Sequence, residues 1–314
     1  MAIHFPNLIS MKLGLGVGLD MPWGDSFGFD IVNNKPTSKT QNFLNLYNND
    51  FNYSFASCHI KDRSELNIKN YIEAFHAFYN INDKFKARAL HHTFLNLGTT
   101  EKYNKTKIIE FTNQLSEELN IDWIVEDLGI WQIKGKTLPY PLPPFLNNEG
   151  LNSCIQNITK LQSHLRTPLL IEFPGFTDGT NFYIGQMHAF DFFNKVAKES
   201  QCAVTLDTGH LISYQWLLGK RNEELFEELH RLPLEHCFEI HLSGCQIVNN
   251  RFMDFHHGVI MDEQLIILEK LISLCPNLKA ITYEDPKYDD TGRLFPKSVN
   301  NFLKLKSIVS KWTV

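Results

Sequence analysis

The chain has 314 residues, 43% of them hydrophobic, which is enough apolar mass for a sizeable core and excludes disorder. A formal net charge of −5 and a pI near 6.2 argue against affinity built on neutralising phosphates, so nucleic acid is not an expected partner. There is no apolar run of about 18 residues or more, so no membrane span is expected, and Met1–Ser10 lacks the pattern of a signal peptide.

The expected protein is therefore cytoplasmic, with residues 1–314 forming one domain. The six cysteines, Cys58, Cys154, Cys202, Cys237, Cys245 and Cys275, include no C-x-x-C pair and read as reduced, mostly buried thiols.

From beginning to end, short apolar runs alternate with longer amphipathic stretches. The first strand is expected over Lys12–Leu19, where Gly14, Gly16 and Gly18 alternate in a manner suited to close packing rather than to a phosphate cradle. A first helix follows around Thr40–Tyr47. Strand two, Tyr53–His59, precedes a helix over Ile68–Tyr79, and strand three, Lys86–His91, precedes one over Lys105–Leu119. Strand four, Asp122–Glu126, leads into Leu138–Phe145, whose four prolines forbid helix interior or central strand and read as an ordered loop. Then come a helix over Leu151–Leu165, strand five over Pro168–Phe173, and a helix over Phe182–Lys198. Strand six, Ala203–Leu206, is followed by a helical pattern at Glu223–Leu229. Strand seven, Cys237–Leu242, is followed by Asp262–Leu274, and strand eight, Ala280–Glu284, by Ser298–Val309. Eight strands, each followed by a helix, predict a closed (β/α)8 TIM barrel. An open doubly wound sheet finds no support, because no G-x-G-x-x-G opens a helix after the first strand.

Ligand-type residues recur at the C-terminal ends of these strands, which converge on one mouth in a barrel. His91 ends strand three, Glu126 and Asp127 end strand four, and Glu172 ends strand five. Asp207 ends strand six, with His210 one short loop later. His241 ends strand seven, Asp254 and His256 lie in the next loop, and Glu284 closes strand eight. Several carboxylates gathered there repel one another unless a cation compensates them. Imidazole and carboxylate without thiolate suits Fe, Mn or Zn. About nine ligands exceed the needs of one ion, so two or three ions, roughly 3.5–4 Å apart and bridged by carboxylates, are expected. Taken singly, each piece also has an ordinary reading: His59 as a core histidine, Asp207-Thr208-Gly209-His210 as a turn with an Asp cap, Asp254-Phe255-His256 as a loop tripeptide.

The ordered set resembles the multinuclear non-heme iron-dependent oxidative enzymes of the methanobactin-biosynthesis type. The resemblance is carried by His91-His92-Thr93-Phe94-Leu95-Asn96-Leu97-Gly98, Val125-Glu126-Asp127-Leu128, Leu142-Pro143, Leu170-Ile171-Glu172-Phe173-Pro174, Asp207, Glu239-Ile240-His241-Leu242-Ser243-Gly244, Asp254-Phe255-His256 and Thr282-Tyr283-Glu284-Asp285. It runs from about Lys12 to Asp285. Two positions depart from the family pattern, which usually has His where Asp127 stands and Asn where His210 stands. The second departure resembles zinc-dependent apurinic endonucleases of the endonuclease IV type, which share the barrel and the D-x-x-H. The segment Ile60–Asn67, however, lacks the cluster of basic and aromatic residues that gripping DNA requires.

The family resemblance implies a xylose isomerase-like barrel binding two or three Fe ions, with Zn or Mn as alternatives. It implies O2-dependent oxidation of a Cys, Asp or Asn in a ribosomally made precursor peptide. The implied ligands are His91, Asp127, Glu172, Asp207, His210, His241, Asp254, His256 and Glu284, with Asp207, His210 and Glu284 catalytic. A separate partner protein that recognises the peptide leader is also implied, with the Pro-rich loop and Phe173–Tyr183 lining the entrance. The rival readings are a metal-dependent phosphodiesterase, a sugar isomerase on a related barrel, and a metal-poor barrel acting as a binding subunit.

Overall fold

Successive residues of a strand face opposite sides of a sheet, so a period of two decides which side chains enter a barrel. The computed structural model describes residues 2–7, 12–21, 29–30, 35–58, 68–81, 85–176, 182–256 and 258–313. Eight strands pair in parallel around a closed ring in chain order. They are β1 (Gly14–Met21), β2 (Tyr53–Cys58), β3 (Ala87–His92), β4 (Trp123–Asp127), β5 (Leu169–Glu172), β6 (Ala203–Asp207), β7 (Cys237–Leu242) and β8 (Ala280–Glu284). The helices that follow them are α1 (Ser38–Leu46), α2 (Ile68–Tyr79), α3 (Thr106–Leu119), α4 (Asn148–Gln162), α5 (Ala189–Ser200), α6 (Thr208–Leu217), α7 (Asp262–Leu274) and α8 (Pro296–Thr313). The expected (β/α)8 architecture is the one observed.

The barrel interior is filled by a few large rings, Tyr53, Phe55, Trp123 and Phe238, set against Ala87, Ala89, Ala203 and Ala280. The glycines of β1 make room for two of these rings. A Cβ on Gly16 would lie 2.3 Å from Tyr53 Cζ, and one on Gly18 would lie 2.1 Å from Phe55 Cζ. Leu15, Val17, Ile240 and Leu242 face outward and join the larger core beneath the helices. Cys154, Cys202, Cys237, Cys245 and Cys275 are buried and free, as expected.

One irregularity sets the chemistry of β7. Its pairing with β6 steps from Val204↔Cys237 to Thr205↔Glu239, so Phe238 is an extra residue on β7. Such a bulge shifts every later side chain to the other face. Phe238 packs inside the barrel, and Glu239 also reaches the interior residues Tyr53 and Trp123. His241 follows two residues later, on the same inner face.

Four expectations need correction. The proline stretch is not a plain loop: Lys136–Leu142 pairs antiparallel with Ile130–Ile133 as a two-stranded hairpin, where prolines are tolerated because the strand is an edge. Asp254 and His256 are likewise not in a loop. They lie on Arg251–His256, which pairs with Gly244–Val248 across the turn Asn249-Asn250, both at positive φ. The helix expected from Phe182 begins only at Ala189. The preceding backbone bonds instead to Leu146, whose N–H donates to the Ile184 carbonyl and whose carbonyl accepts from Gln186 and Met187. Finally, the helix after β6 starts at once at Thr208, whereas Asn222–Phe226 and Leu229–Arg231 form only short 3-10 turns. Helix α6 buries Leu211, Ile212 and Tyr214 together, which leaves no amphipathic period to read.

Candidate metal centre

Strand alternation and helix capping together deliver the nine predicted side chains to one mouth. Asp207 is the last residue of β6 and also the N-cap of α6. Its Oδ1 accepts from the His210 N–H at 2.8 Å, which places the His210 ring in the first helical turn, over the barrel. The adjoining Gly175 lets that ring approach, since a Cβ there would stand 3.0 Å from His210 Cδ2.

Glu172 sits at the centre. Its Oε2 lies 2.9 Å from His91 Nε2 and 3.3 Å from His241 Nδ1, and its Oε1 lies 3.6 Å from His210 Nδ1. Asp127 Oδ1 approaches His210 Nδ1 at 3.8 Å, Asp254 Oδ2 approaches His210 Nε2 at 3.3 Å, and Glu284 Oε2 approaches His241 Nδ1 at 3.6 Å. His256 Nε2 faces Asp254 Oδ2 at 3.8 Å, while its Nδ1 donates to Asp285 Oδ2 at 2.9 Å. Five groups of three or four ligand atoms, each within 4.8 Å, arise among the described residues, and they overlap. Glu172 belongs to three, and Asp207, His210, His241 and Glu284 to two each. Carboxylates are able to bridge neighbouring ions, so such overlap is compatible with a cluster.

The carboxylates of the mouth call for compensating positive charge. Burial favours the neutral form of His91, yet the hydrogen bond and charge of Glu172, with Asp127 and Glu284 behind them, carry its pKa from 6.5 to about 9. His210, His241 and His256 are likewise driven well above the ordinary imidazole range against their burial, His210 first by Asp207, His241 by Glu172 and His256 by Asp254. Burial pushes Glu284 up to about 8 and Asp207 up to about 6, and it raises Asp127 as well. Glu172 and Asp254 are held low despite burial, Glu172 by His241 and His91, and Asp254, at about 2, by His256 and His210. Without a bound ion, protonated imidazoles supply the positive charge that the carboxylates demand.

Asp207 Oδ2, Asp254 Oδ2 and both ring nitrogens of His241 are buried atoms without a hydrogen-bond partner. Carboxylate and imidazole donors that overlap and are left unsatisfied fit hard or borderline divalent ions.

Of the two acidic residues ending β4, Asp127 faces the mouth and Glu126 does not. Glu126 turns outward and accepts from the backbone N–H groups of Phe94, Leu95 and Asn96 at 3.1, 2.6 and 2.6 Å, which pins the loop after His91. His59 and the segment 60–67 lie outside the described residues.

Sequence reasoning missed two residues. Asp285 holds His256, and both stand at positive φ, 42° and 49°, a strained pairing of the kind found at functional sites. Glu239 lies 3.3 Å from His241 Nε2. Its signal was an acidic residue two positions before His241 in the otherwise apolar Cys-Phe-Glu-Ile-His-Leu.

With this geometry established, comparison with known proteins identifies the lineage. Residues 47–298 match the family described as RiPP precursor modification enzyme MbnB/TglH/ChrH. The chain belongs to this family. Members of the MbnB/TglH/ChrH family act on ribosomally made precursor peptides, so the protein is an enzyme with a peptide substrate. Sequence comparison with curated proteins gives no match.

Among solved structures, the chain is similar to a β-mannanase from Thermomonospora fusca, at 12% identity and TM-score 0.51, covering 95% of this chain and 91% of that one. It is also similar to the D-allulose 3-epimerase of a Methylomonas species, at 13% identity and TM-score 0.49, with 99% of each chain covered. A third is the D-psicose 3-epimerase of Clostridium cellulolyticum H10, at 10% identity and TM-score 0.47, with 95% and 96% covered. The likeness to the β-mannanase speaks to the barrel fold alone. No described helix is long and apolar enough to cross a membrane.

Proposed function

We propose that this MbnB/TglH/ChrH-family protein holds two or three iron ions and uses O2 to oxidise a Cys, Asp or Asn residue of a precursor peptide. The observation that carries the proposal is the overlap of donor groups around Glu172, together with the family's peptide substrate. His91, Asp127, Glu172, Asp207, His210, His241, Asp254, His256 and Glu284 are the proposed ligands, with Zn or Mn the alternative occupants. Bound iron supplies an open position for O2 and the electrons for its reduction.

The remaining tasks fall to the chain. Glu172 ties the His91, His210 and His241 corners together. His241 is wholly buried, whereas the His256 side chain is 36% exposed, so a substrate approaching from solvent meets the Asp254–His256 strand first. The capped helix start at Asp207 holds His210 against Asp254. An apolar groove, lined by none of the nine proposed ligands, opens between Ile130 and Ile133 of the hairpin, Thr99, and residues Phe182, Tyr183 and Ile184. It is the proposed seat for a flanking stretch of the peptide. A separate leader-recognising partner protein is part of the same proposal.

The test is to incubate the Fe(II)-loaded protein, with and without O2, with the short peptide encoded beside its gene and to read the product by mass spectrometry. The proposal predicts a mass change that requires O2, and no cleavage of DNA carrying abasic sites. An unchanged peptide, combined with anaerobic nicking of abasic DNA that is lost on changing His210 or Glu284, would replace it with metal-assisted phosphodiester hydrolysis.

A further inference from the structure

A wholly buried carboxylate stands behind His241, outside the set of ligands. Glu239 Oε1 accepts from Thr282 Oγ1 at 2.6 Å and Tyr53 Oη at 3.2 Å, and its Oε2 accepts from Trp123 Nε1 at 2.8 Å. These three neutral donors come from β8, β2 and β4. Among the described residues, no Lys or Arg forms an ion pair with it. The fourth neighbour is His241, whose Nε2, buried and without a hydrogen bond in this geometry, lies 3.3 Å from Oε1. The other ring nitrogen, Nδ1, faces Glu172 and Glu284 in the mouth, at 3.3 and 3.6 Å. The Phe55 ring lies against the imidazole at 5.2 Å between centroids and limits its tilt.

We infer that Glu239 is a positioning residue of the metal centre: it accepts the His241 Nε2–H, and so assigns Nδ1 to the metal and fixes the ring in that orientation. The inference rests on the metal-centre reading above. A ring coordinated through Nδ1 keeps its single proton on Nε2, and in a fully buried wall that N–H requires an acceptor. A carboxylate, with about two acceptor positions on each oxygen, serves Thr282 and His241 on Oε1 and Trp123 on Oε2, and shares the single Tyr53 proton with Thr282 Oγ1, 2.6 Å from Tyr53 Oη.

Glutamine cannot do so. Its NH2 must face either Trp123 Nε1–H, which can only donate, or the side shared by His241 and the two hydroxyls. Hydroxyls rotate to accept, so the amide settles with its carbonyl on Trp123 and its NH2 against His241 Nε2–H. Glu239→Gln thus keeps the shape of the core but sets donor against donor behind the ligand.

The experiment strips the protein with a chelator and titrates it with Zn(II). Glu239→Gln is expected to weaken the tightest Zn(II) binding by roughly 10–100-fold. Adding Trp123→Phe to Glu239→Gln frees the amide to turn its carbonyl towards His241, and affinity is expected to recover. A merely structural role for Glu239 predicts instead that the second core change makes binding worse. Without any substitution, 15N shifts of histidine-labelled, Zn(II)-loaded wild type are expected to place the metal on His241 Nδ1 and the proton on Nε2. That measurement decides the matter even if Glu239→Gln fails to fold. Undiminished Zn(II) affinity in Glu239→Gln, or metal on Nε2, overturns the role of Glu239 alone. Wild type that binds no Zn(II) overturns the metal-centre reading itself.

Discussion

Gly18→Ala puts one methyl group where the barrel has no room for it. The added Cβ would lie 2.1, 2.3 and 2.6 Å from Phe55 Cζ, Cε1 and Cε2. Carbon atoms in good contact stand about 3.5 Å apart or more, so the ring must withdraw by roughly 1.4 Å. Phe55 is wholly buried, and its ring centroid is 5.2 Å from that of His241 and 5.5 Å from that of His91, so withdrawal disturbs two rings proposed as metal ligands. Overpacking of this kind costs about 1–3 kcal/mol, offset by roughly 0.5–1 kcal/mol from the reduced freedom of the unfolded chain. A net loss of about 1–2 kcal/mol lowers Tm by a few degrees.

The assay is thermal unfolding with and without metal, with Zn(II) affinity read alongside. Gly18→Ala is expected to lower both. Phe55→Leu combined with Gly18→Ala is expected to lose less than the sum of the two single changes, because the smaller side chain vacates the contested space. Wild-type Tm and affinity in Gly18→Ala, or strict additivity in the pair, would refute the claim that β1 glycines shape the floor of the site.

Three further outcomes follow from the same structure. Glu126→Ala strips the acceptor from the Phe94, Leu95 and Asn96 N–H groups; chemical denaturation is expected to show a loss on the order of 3 kcal/mol, whereas a loss below about 1 kcal/mol would contradict the role given to it. His256→Ala removes a proposed ligand on the solvent side; elemental analysis is expected to show less metal per chain in a protein that stays folded, and full metal with full turnover would make this strand merely structural. The third concerns pH. In the metal-free protein, Glu284 is raised from 4.5 to about 8 and His91 from 6.5 to about 9. Both bind protons more tightly folded than unfolded, so their stabilisation is complete below each unfolded value and is lost as pH rises through about 8 and about 9. The Tm of metal-free protein should therefore fall between about pH 6.5 and pH 9, and bound metal, which takes deprotonated ligands, should reverse the trend. A metal-free Tm that rises across that window would count against the charge balance described for the mouth.

How far the site was legible in the sequence depended on what kind of signal each residue carried. His91, Glu172, Asp207, His241 and Glu284 each close an apolar run, and a parallel barrel brings such ends together whatever their spacing in the chain. Asp254 and His256 were identified, but the hairpin that carries them was not, although Asn249-Asn250 between short apolar runs is a turn signal of the expected sort. Helix α6 escaped because it is buried on several sides, so its residues alternate with no polar face. Choosing Asp127 over Glu126 required the strand's phase, which two adjacent acids cannot reveal. Glu239 was hidden for a related reason. Unbroken alternation would place it opposite Phe238, and only the bulge turns both inward. Asp285 depends on two left-handed backbone conformations, and nothing in the local composition foretells those.

Elemental analysis of protein produced with iron supplied tests the central claim most directly. The account predicts more than one metal ion per chain, two or three at full loading, and a marked reduction when Glu172, shared by three of the overlapping donor groups, is changed to Ala. One ion or none per chain in protein with all nine side chains intact would contradict it.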